Sequence, residues 1–353
     1  MIEFKRIVRF AELLNPSKGF ELERQVVEHR FDPLTGDATI VTSGRFDYAR
    51  RLFQADREEL RKIVELTRPG CPFCPENVAK VTPRFPEGFL EDGRPRIGEA
   101  TAFPGLFAHM DFNAIIVLSE AHFLELNELA PRRILDAFIL GSRILGRLLE
   151  VHPEMRFGAF IGNYLPPSGS SIIHPHIHVL ASERPFELSR KLMDASRRFN
   201  EECGENFWER LLEVERSKGE RYLWEIKGTE WIVPFAPSKT FEVWGLSKDK
   251  SSILSLGKGG LEGFAEGLGR ILGFYASEGL SCFNFALYSG PMDGEPLDYF
   301  RVGLRIVARF GYRQPFTNDV WGLQALLQEG EAYEAPEVLA ERLRSFVEAK
   351  DRT

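Results

Sequence analysis

The segment Pro167 to Ser182, PSGSSIIHPHIHVLAS, carries three of the chain's seven histidines, spaced two residues apart. Ile172, Ile173, Ile177, Val179 and Leu180 surround them, a composition that reads as a buried β-strand. Side chains in a strand alternate between faces, so His174, His176 and His178 are expected to project together from one face. Three imidazoles on one patch can coordinate a metal, relay protons, or present one ring nitrogen as a nucleophile tuned by its neighbours. Just ahead of them, Gly169, Ser170 and Ser171 place backbone N–H groups and hydroxyls in a turn, which suits a phosphate. Pro175, between the first two histidines, has no N–H to give a ladder and implies a sheet edge or a bulge there.

A second constellation is the CxxC of Cys71 and Cys74, inside the proline-rich knuckle RPGCPFCPEN. Such a knuckle commonly presents two thiolates to one zinc ion, and a structural zinc takes four cysteine or histidine ligands. His122, on a loop, and one histidine of the strand are the natural third and fourth ligands. The other strand histidines are then free. A neutral imidazole that attacks phosphorus forms a phosphoramidate and splits a displacement into two in-line steps. The ring must be held in one tautomer, usually by a backbone carbonyl that accepts from its other nitrogen. The central histidine, His176, is best placed for this, with same-face neighbours to orient phosphate oxygens.

These groups need elements to hold them. The start of the chain, to about Asp56, reads as a helix or strand lead-in followed by a turn at Pro33, Gly36 and Asp37 and a short strand from Ala38 to Thr42. Ala49 to Leu66 reads as one charged helix. Asn113 to Leu118 and Arg156 to Ile161 read as strands, with a helix from about Ala130 to Glu150 between them, and Asn163 to Ser171 as a loop. The later part of the chain repeats this order: strands at Trp231 to Pro234 and Thr240 to Trp244, a helix at Gly259 to Ser277, and strands at Cys282 to Tyr288 and Tyr299 to Arg309. Arg301, Gly303 and Arg305 stand where the first unit has its histidines, so the two halves read as a duplication whose second copy has lost the catalytic strand. Charged helices are expected over Arg184 to Gly219 and over Pro336 to Lys350.

With 353 residues, 43% of them apolar, the chain can bury a sizeable core. Its 45 basic and 52 acidic residues give a formal charge of -7, which excludes an obvious nucleic-acid groove or an anionic-membrane surface. No apolar run approaches the roughly 18 residues of a membrane span, and MIEFKRIVRFAELL is too charged for a secretory leader, so a cytoplasmic location is expected. Four cysteines are too few for a disulfide scaffold at this size.

HPHIH after GSS, CPFCPEN and DPLTGDATIVTSGR together resemble the galactose-1-phosphate uridylyltransferase branch of the histidine-triad superfamily, and the resemblance extends to VPFAPSKTFEVW in the second half. Other branches include dinucleoside polyphosphate phosphorylases and ADP-glucose phosphorylase. The resemblance implies an α+β, histidine-triad-like fold with two tandem repeats, antiparallel sheets flanked by helices. Residues 1–185 would be the catalytic repeat with its zinc site, and 186–353 a degenerate repeat without the catalytic histidines. It implies that His176 becomes nucleotidylated and that His174 joins Cys71, Cys74 and His122 around a structural zinc. Ser171 and His178 fall beside the nucleophile, Asn163 with Gly169 and Ser170 where the phosphate is held, Arg45 where a phosphate-contacting arginine reaches out, often into a partner's site, and Phe103 and Pro104 in the nucleobase-lining segment. A homodimer is implied.

Several positions depart from that pattern. His178 replaces the glutamine of the uridylyltransferase HPHxQ, which favours water as acceptor, because a histidine can also carry a proton. Tyr48 falls where the family has a second arginine. Arg301 and Gly303 replace the histidines of an additional metal site, so no second metal is expected. The segment Val320 to Gln324 lacks an acidic partner for sugar hydroxyls, which argues against galactose. The expected activity is transfer of a nucleoside monophosphate from a nucleotide sugar to a sugar phosphate or phosphate through a nucleotidyl-histidine. The alternatives are a hydrolase or phosphorylase of dinucleoside polyphosphates or nucleotide sugars, a non-catalytic nucleotide-binding protein, and a redox metalloenzyme built on the three histidines.

Overall fold

The chain opens on a long antiparallel hairpin, β1 (Arg6–Asn15) with β2 (Glu21–Phe31), turned by Asn15, whose side chain accepts from the Ser17 N–H, and by Gly19 at a φ of 65°. Glycine adopts this positive φ at no steric cost, and Phe20 follows it at a φ of 61°. Then come β3 (Ala38–Val41) and α1 (Phe46–Phe53), followed by α2 (Arg57–Thr67) and α3 (Pro75–Val81). The single helix expected over Ala49 to Leu66 is thus two. Gln54 leaves the helix to bridge Leu280, and Asp56 caps α2 by accepting from the N–H groups of Glu58 and Glu59. The structure, a computed structural model, describes residues 2–90 and 93–352.

The next elements are β4 (Arg96–Ile97), β5 (Ala100–Pro104), β6 (Phe112–Val117), α4 (Pro131–Val151), β7 (Phe157–Tyr164) and β8 (His176–Ser182). Helices α5 (Glu187–Cys203) and α6 (Phe207–Lys218) lead to β9 (Tyr222–Ile226), β10 (Thr229–Ile232), β11 (Val243–Ser247), α7 (Gly257–Ser277), β12 (Cys282–Tyr288) and β13 (Gly303–Arg309). The short α8 (Gly322–Ala325), β14 (Gly330–Ala332) and α9 (Pro336–Asp351) complete the chain. The strand expected from Thr240 starts only at Val243, after a turn, and Arg301 lies ahead of β13 rather than on it.

Ten strands form one sheet in the order β4-β5-β6-β8-β7-β12-β13-β11-β10-β9, antiparallel throughout. Read outward from the β7–β12 junction, the two halves mirror each other. A smaller sheet, β1-β2-β3-β14, stands beside it, with β14 parallel to β3. Helices α4 and α7 pack together and cover one face of the large sheet. Close approach is secured by glycine: a Cβ on Gly141 of α4 would lie 2.8 Å from the Phe160 ring, and one on Gly267 of α7 would lie 2.1 Å from Trp231. One hydrophobic core runs under both halves, from Ala114, Phe138 and Val179 to Phe264, Phe285 and Leu304. Among the described residues, no helix is long and apolar enough to cross a membrane.

Strand β8 differs from the expectation in two respects. It begins at His176, so His174 lies in the irregular segment before it and only His176 and His178 share a strand face. It is also internal, between β6 and β7, and not an edge. Pro175 is tolerated because it precedes the first strand residue, where its carbonyl accepts from the Leu118 N–H at 2.9 Å. Strand β7 runs on through Tyr164, which places Asn163 on the strand and not in the loop.

Candidate active site and metal centre

Alternation along β8 sends Ile177, Val179 and Ala181 into the core beneath α4 and His176, His178 and Leu180 to the face away from α4. Register brings matching residues alongside: His178 is opposite Ile115 of β6 and Ile161 of β7. Asn113 and Asn163 stand two residues from those partners, on the same face. Above them lies a cavity of about 460 Å³, within the range of small-molecule sites. Phe73, Val81, Pro83, Phe103 and Leu106 line it with apolar groups, and Asn113, Asn163, His176, His178 and the turn of Gly169, Ser170 and Ser171 with polar ones.

His176 is buried, with its ring 5.2 Å from that of Phe73 and 5.4 Å from that of His178. Its Nδ1 lies 2.7 Å from the His174 carbonyl oxygen, which can only accept, so Nδ1 carries the proton. The bare nitrogen is therefore Nε2. Burial pushes the imidazole down to about 4, although the carbonyl bond acts the other way, so the ring is neutral at physiological pH. His178 is turned by Asn113, whose Oδ1 lies 3.2 Å from its Nδ1 while the Asn113 amide donates to the Phe107 carbonyl at 3.1 Å. Burial, and then the neighbouring His109, lower its pKa as well. His109 lines the cavity with its ring 5.7 Å from His178.

Cys71, Cys74, His122 and His174 are all buried, and their ligand atoms lie within 4.8 Å of one another. The Cys71 and Cys74 sulfurs stand 3.8 Å and 3.6 Å from Nδ1 of His174, and Cys74 is 3.5 Å from Nδ1 of His122. A tetrahedral zinc, with Zn–S near ~2.3 Å and Zn–N near ~2.0 Å, gives S···N edges of about 3.5 Å. The donor set and its spacing fit such an ion. The outer nitrogens are also accounted for: Nε2 of His174 is 2.8 Å from the Ser119 carbonyl, and Nε2 of His122 is 3.1 Å from the Thr67 hydroxyl. Those partners leave each Nδ1 free to ligate. Burial, reinforced by the neighbouring Cys71, pushes the Cys74 thiol up to about 12, so two thiolates here call for a cation. The structure thus describes a buried Cys2His2 cluster able to hold a metal such as zinc.

Of the residues expected at the site, Phe103, Asn163, Gly169, Ser170, Ser171, His176 and His178 meet at the cavity. Gly169 adopts a φ of 91°, and the buried Ser170 turns its hydroxyl to the Ile172 carbonyl, so Ser171 is the exposed hydroxyl of that turn. Pro104 does not line the cavity; it pairs with Ala114 in the sheet one residue beyond Phe103. Arg45 is not brought to His176 either: its guanidinium stacks 5.2 Å above Tyr333 and meets Glu331 at 3.5 Å, over the small sheet. Sequence reasoning passed over Phe73, His109 and Asn113. Asn113 was within reach of period-two reading along β6, whereas His109 sits on a loop with no periodicity to announce it.

The fold is similar to those of a solved galactose-1-phosphate uridylyltransferase-like protein, an ADP-glucose phosphorylase and a uridylyltransferase. A galactose-1-phosphate uridylyltransferase-like protein from Arabidopsis thaliana superimposes with a TM-score of 0.69 at 18% identity, over 90% of this chain and 98% of that one. An Arabidopsis thaliana ADP-glucose phosphorylase with bound ADP-glucose does so with a TM-score of 0.69 at 19% identity, again over 90% and 98%. A uridylyltransferase structure follows with a TM-score of 0.66 at 17% identity, over 91% of this chain and 99% of that one. These likenesses are of fold. By sequence the chain belongs to the same family as an Archaeoglobus fulgidus protein described as uncharacterized, to which it is 32% identical over 346 residues, 98% of this chain and 99% of that one. No family model matches the chain.

Proposed function

We propose that the protein is a nucleotidyltransferase that works through a covalent nucleotidyl-His176. The observation that carries this reading is the neutral His176 ring, its Nδ1 proton held by the His174 carbonyl and its Nε2 left bare beside a cavity of nucleotide size. Nε2 attacks the α-phosphorus of a nucleoside-diphosphate sugar or similar donor; an N–P bond forms and the bond to the bridging oxygen breaks, with its electron pair leaving on the sugar phosphate. The imidazolium that results keeps its Nδ1 proton on the carbonyl. In the second step an acceptor oxygen attacks phosphorus, the N–P bond breaks, and neutral His176 is restored. Ser171, the Gly169 and Ser170 turn and Asn163 are positioned to meet equatorial phosphate oxygens. Phe73 and Phe103 supply apolar wall for a nucleobase.

The final acceptor is a sugar phosphate or inorganic phosphate in the leading reading. A second reading, release to water or phosphorolysis of dinucleoside polyphosphates, draws support from His178, which Asn113 holds by one nitrogen, leaving the other to move a proton. A structural zinc held by Cys71, Cys74, His122 and His174 would tie α3 to the segment ahead of β8. The mirrored strand order favours two repeats, 1–185 and 186–353. Four cysteines, none of them in a disulfide among the described residues, suit the cytoplasm. We also place a homodimer contact on the hairpin, where Phe10 pairs with Val26 and Leu14 with Leu22 on an exposed face; sedimentation of the native protein as a monomer would refute it.

The test is intact mass measurement after exposure to UDP-glucose, ADP-glucose and dinucleoside polyphosphates. The expected result is an acid-labile mass of one nucleoside monophosphate, absent in His176→Ala and discharged by sugar phosphate, phosphate or water according to the true acceptor. An unmodified wild-type protein across the whole panel would sink the proposal.

A further inference from the structure

Among the described residues, no lysine or arginine lines the cavity. A phosphate there must be met by neutral donors, and whether Asn163 is one depends on which end of its amide it presents. An amide's oxygen and nitrogen are told apart by their partners, and here the partners leave one assignment. Arg309 of β13 can only donate, and its Nη1 lies 2.6 Å from the Asn284 side chain, so the atom facing it is Oδ1. The Ser168 carbonyl can only accept, so the Asn284 atom 2.8 Å from it is Nδ2. That Nδ2 also donates to Asn163 at 2.6 Å, which makes the receiving atom Oδ1 of Asn163. Both Asn284 protons are then used, one on Asn163 and one on the loop that carries Gly169 to Ser171. Asn163 is left with Nδ2, a donor, for the cavity.

Arg309 is itself fixed. Its Nε bonds both Asp319 oxygens at 2.7 and 2.9 Å, its Nη2 donates to Asn318 at 3.0 Å, and Lys239 stands 3.3 Å from Asp319. Arg309 and Asp319 are buried. Two cations against one carboxylate leave this cluster positive, and it polarises the chain of amides in front of it.

We propose that Asn284, backed by Arg309 and Asp319, is a positioning unit supplied by the C-terminal half, which fixes Asn163 as a hydrogen-bond donor to an anionic phosphate group. The proposal rests on the nucleotidyl-transfer reading only in taking the ligand to be an anionic phosphate. The informative variant is Asn284→Asp. A carboxylate of the same shape still accepts from Arg309 but cannot donate, so Asn163 must turn its Nδ2 inward and its oxygen to the cavity.

The experiment is calorimetric titration of wild type, N284D, N163A and N163A/N284D with pyrophosphate, AMP, UMP and the two nucleosides, alongside melting temperatures. The expected result is that N284D weakens pyrophosphate and nucleotide binding by about tenfold or more, at unchanged nucleoside binding, and adds nothing to N163A. A merely structural loss would lower nucleoside binding equally. Wild-type affinity for pyrophosphate in N284D, or a wild type that binds no pyrophosphate, overturns the proposal. If the wild type binds pyrophosphate but no nucleotide more tightly, the nucleotidyl-transfer reading fails while the N284D comparison still decides this one.

Discussion

In His122, His174 and His176 the partner of one ring nitrogen sets what the other nitrogen can do. Thr67 shows how far this extends from the ligands themselves. Its hydroxyl donates to the Ile63 carbonyl at 2.7 Å and so can only accept from His122, which directs Nδ1 of His122 to Cys74. Thr67→Val keeps the shape and removes the acceptor. It is expected to weaken metal binding by about tenfold or more, the usual effect of losing an outer-shell partner, read as metal retained after dialysis against a graded chelator. The His174 peptide is shared more tightly still, since its ring faces the thiols and its carbonyl holds the His176 proton.

Among the elements, α4 sets the depth of β7 and β8. Gly141 lets the helix close on the sheet, for a side chain there would meet the Phe160 ring at 2.8 Å and Val179 at 3.2 Å. Gly141→Leu gains roughly 0.8 kcal/mol of helix propensity but overpacks a core contact at a cost of about 1–3 kcal/mol. The second effect wins, and a lower midpoint of thermal unfolding is expected. The elements around the site were legible in the sequence to unequal degrees. Strand β12 and helix α4 announce themselves through apolar periodicity, and the metal ligands through residue type. The break at Gln54 was hidden because 49–66 is rich in charge on both sides of it, and the start of β8 because His174 extends the two-residue spacing back before the strand begins. Asn284 was visible as a polar residue in an apolar strand; its meaning came only from β7, which lies far off in sequence.

At the scale of the whole molecule, the small sheet and the last helix are tied to the rest by a cluster of buried arginines around the half-buried Glu337. Arg30 of β2 donates to both oxygens of Glu337 in α9 at 2.8 and 3.0 Å, and Arg221 reaches Glu337 at 2.8 Å and Glu215 of α6 at 3.0 and 2.9 Å. Burial alone would raise the Glu337 carboxyl, but Arg30, with Arg221, outweighs it and holds it down at about 2. A carboxyl lowered on folding adds stability above its unfolded pKa, near ~4.5, and loses it as pH falls toward 2. Glu337→Gln is therefore expected to lower stability at neutral pH and to flatten its decline between about pH 4.5 and 2, measured by urea unfolding across that range.

The seam between the two halves of the large sheet has a consequence for how such a protein evolves. Strand β7, which carries Asn163, has β12 as its neighbour and no free inner edge. Under the proposed nucleotidyl transfer, selection therefore falls also on residues of the C-terminal half that touch no reacting atom. That half cannot be discarded, and Asn284 and Phe285 should drift far more slowly than the residues around them.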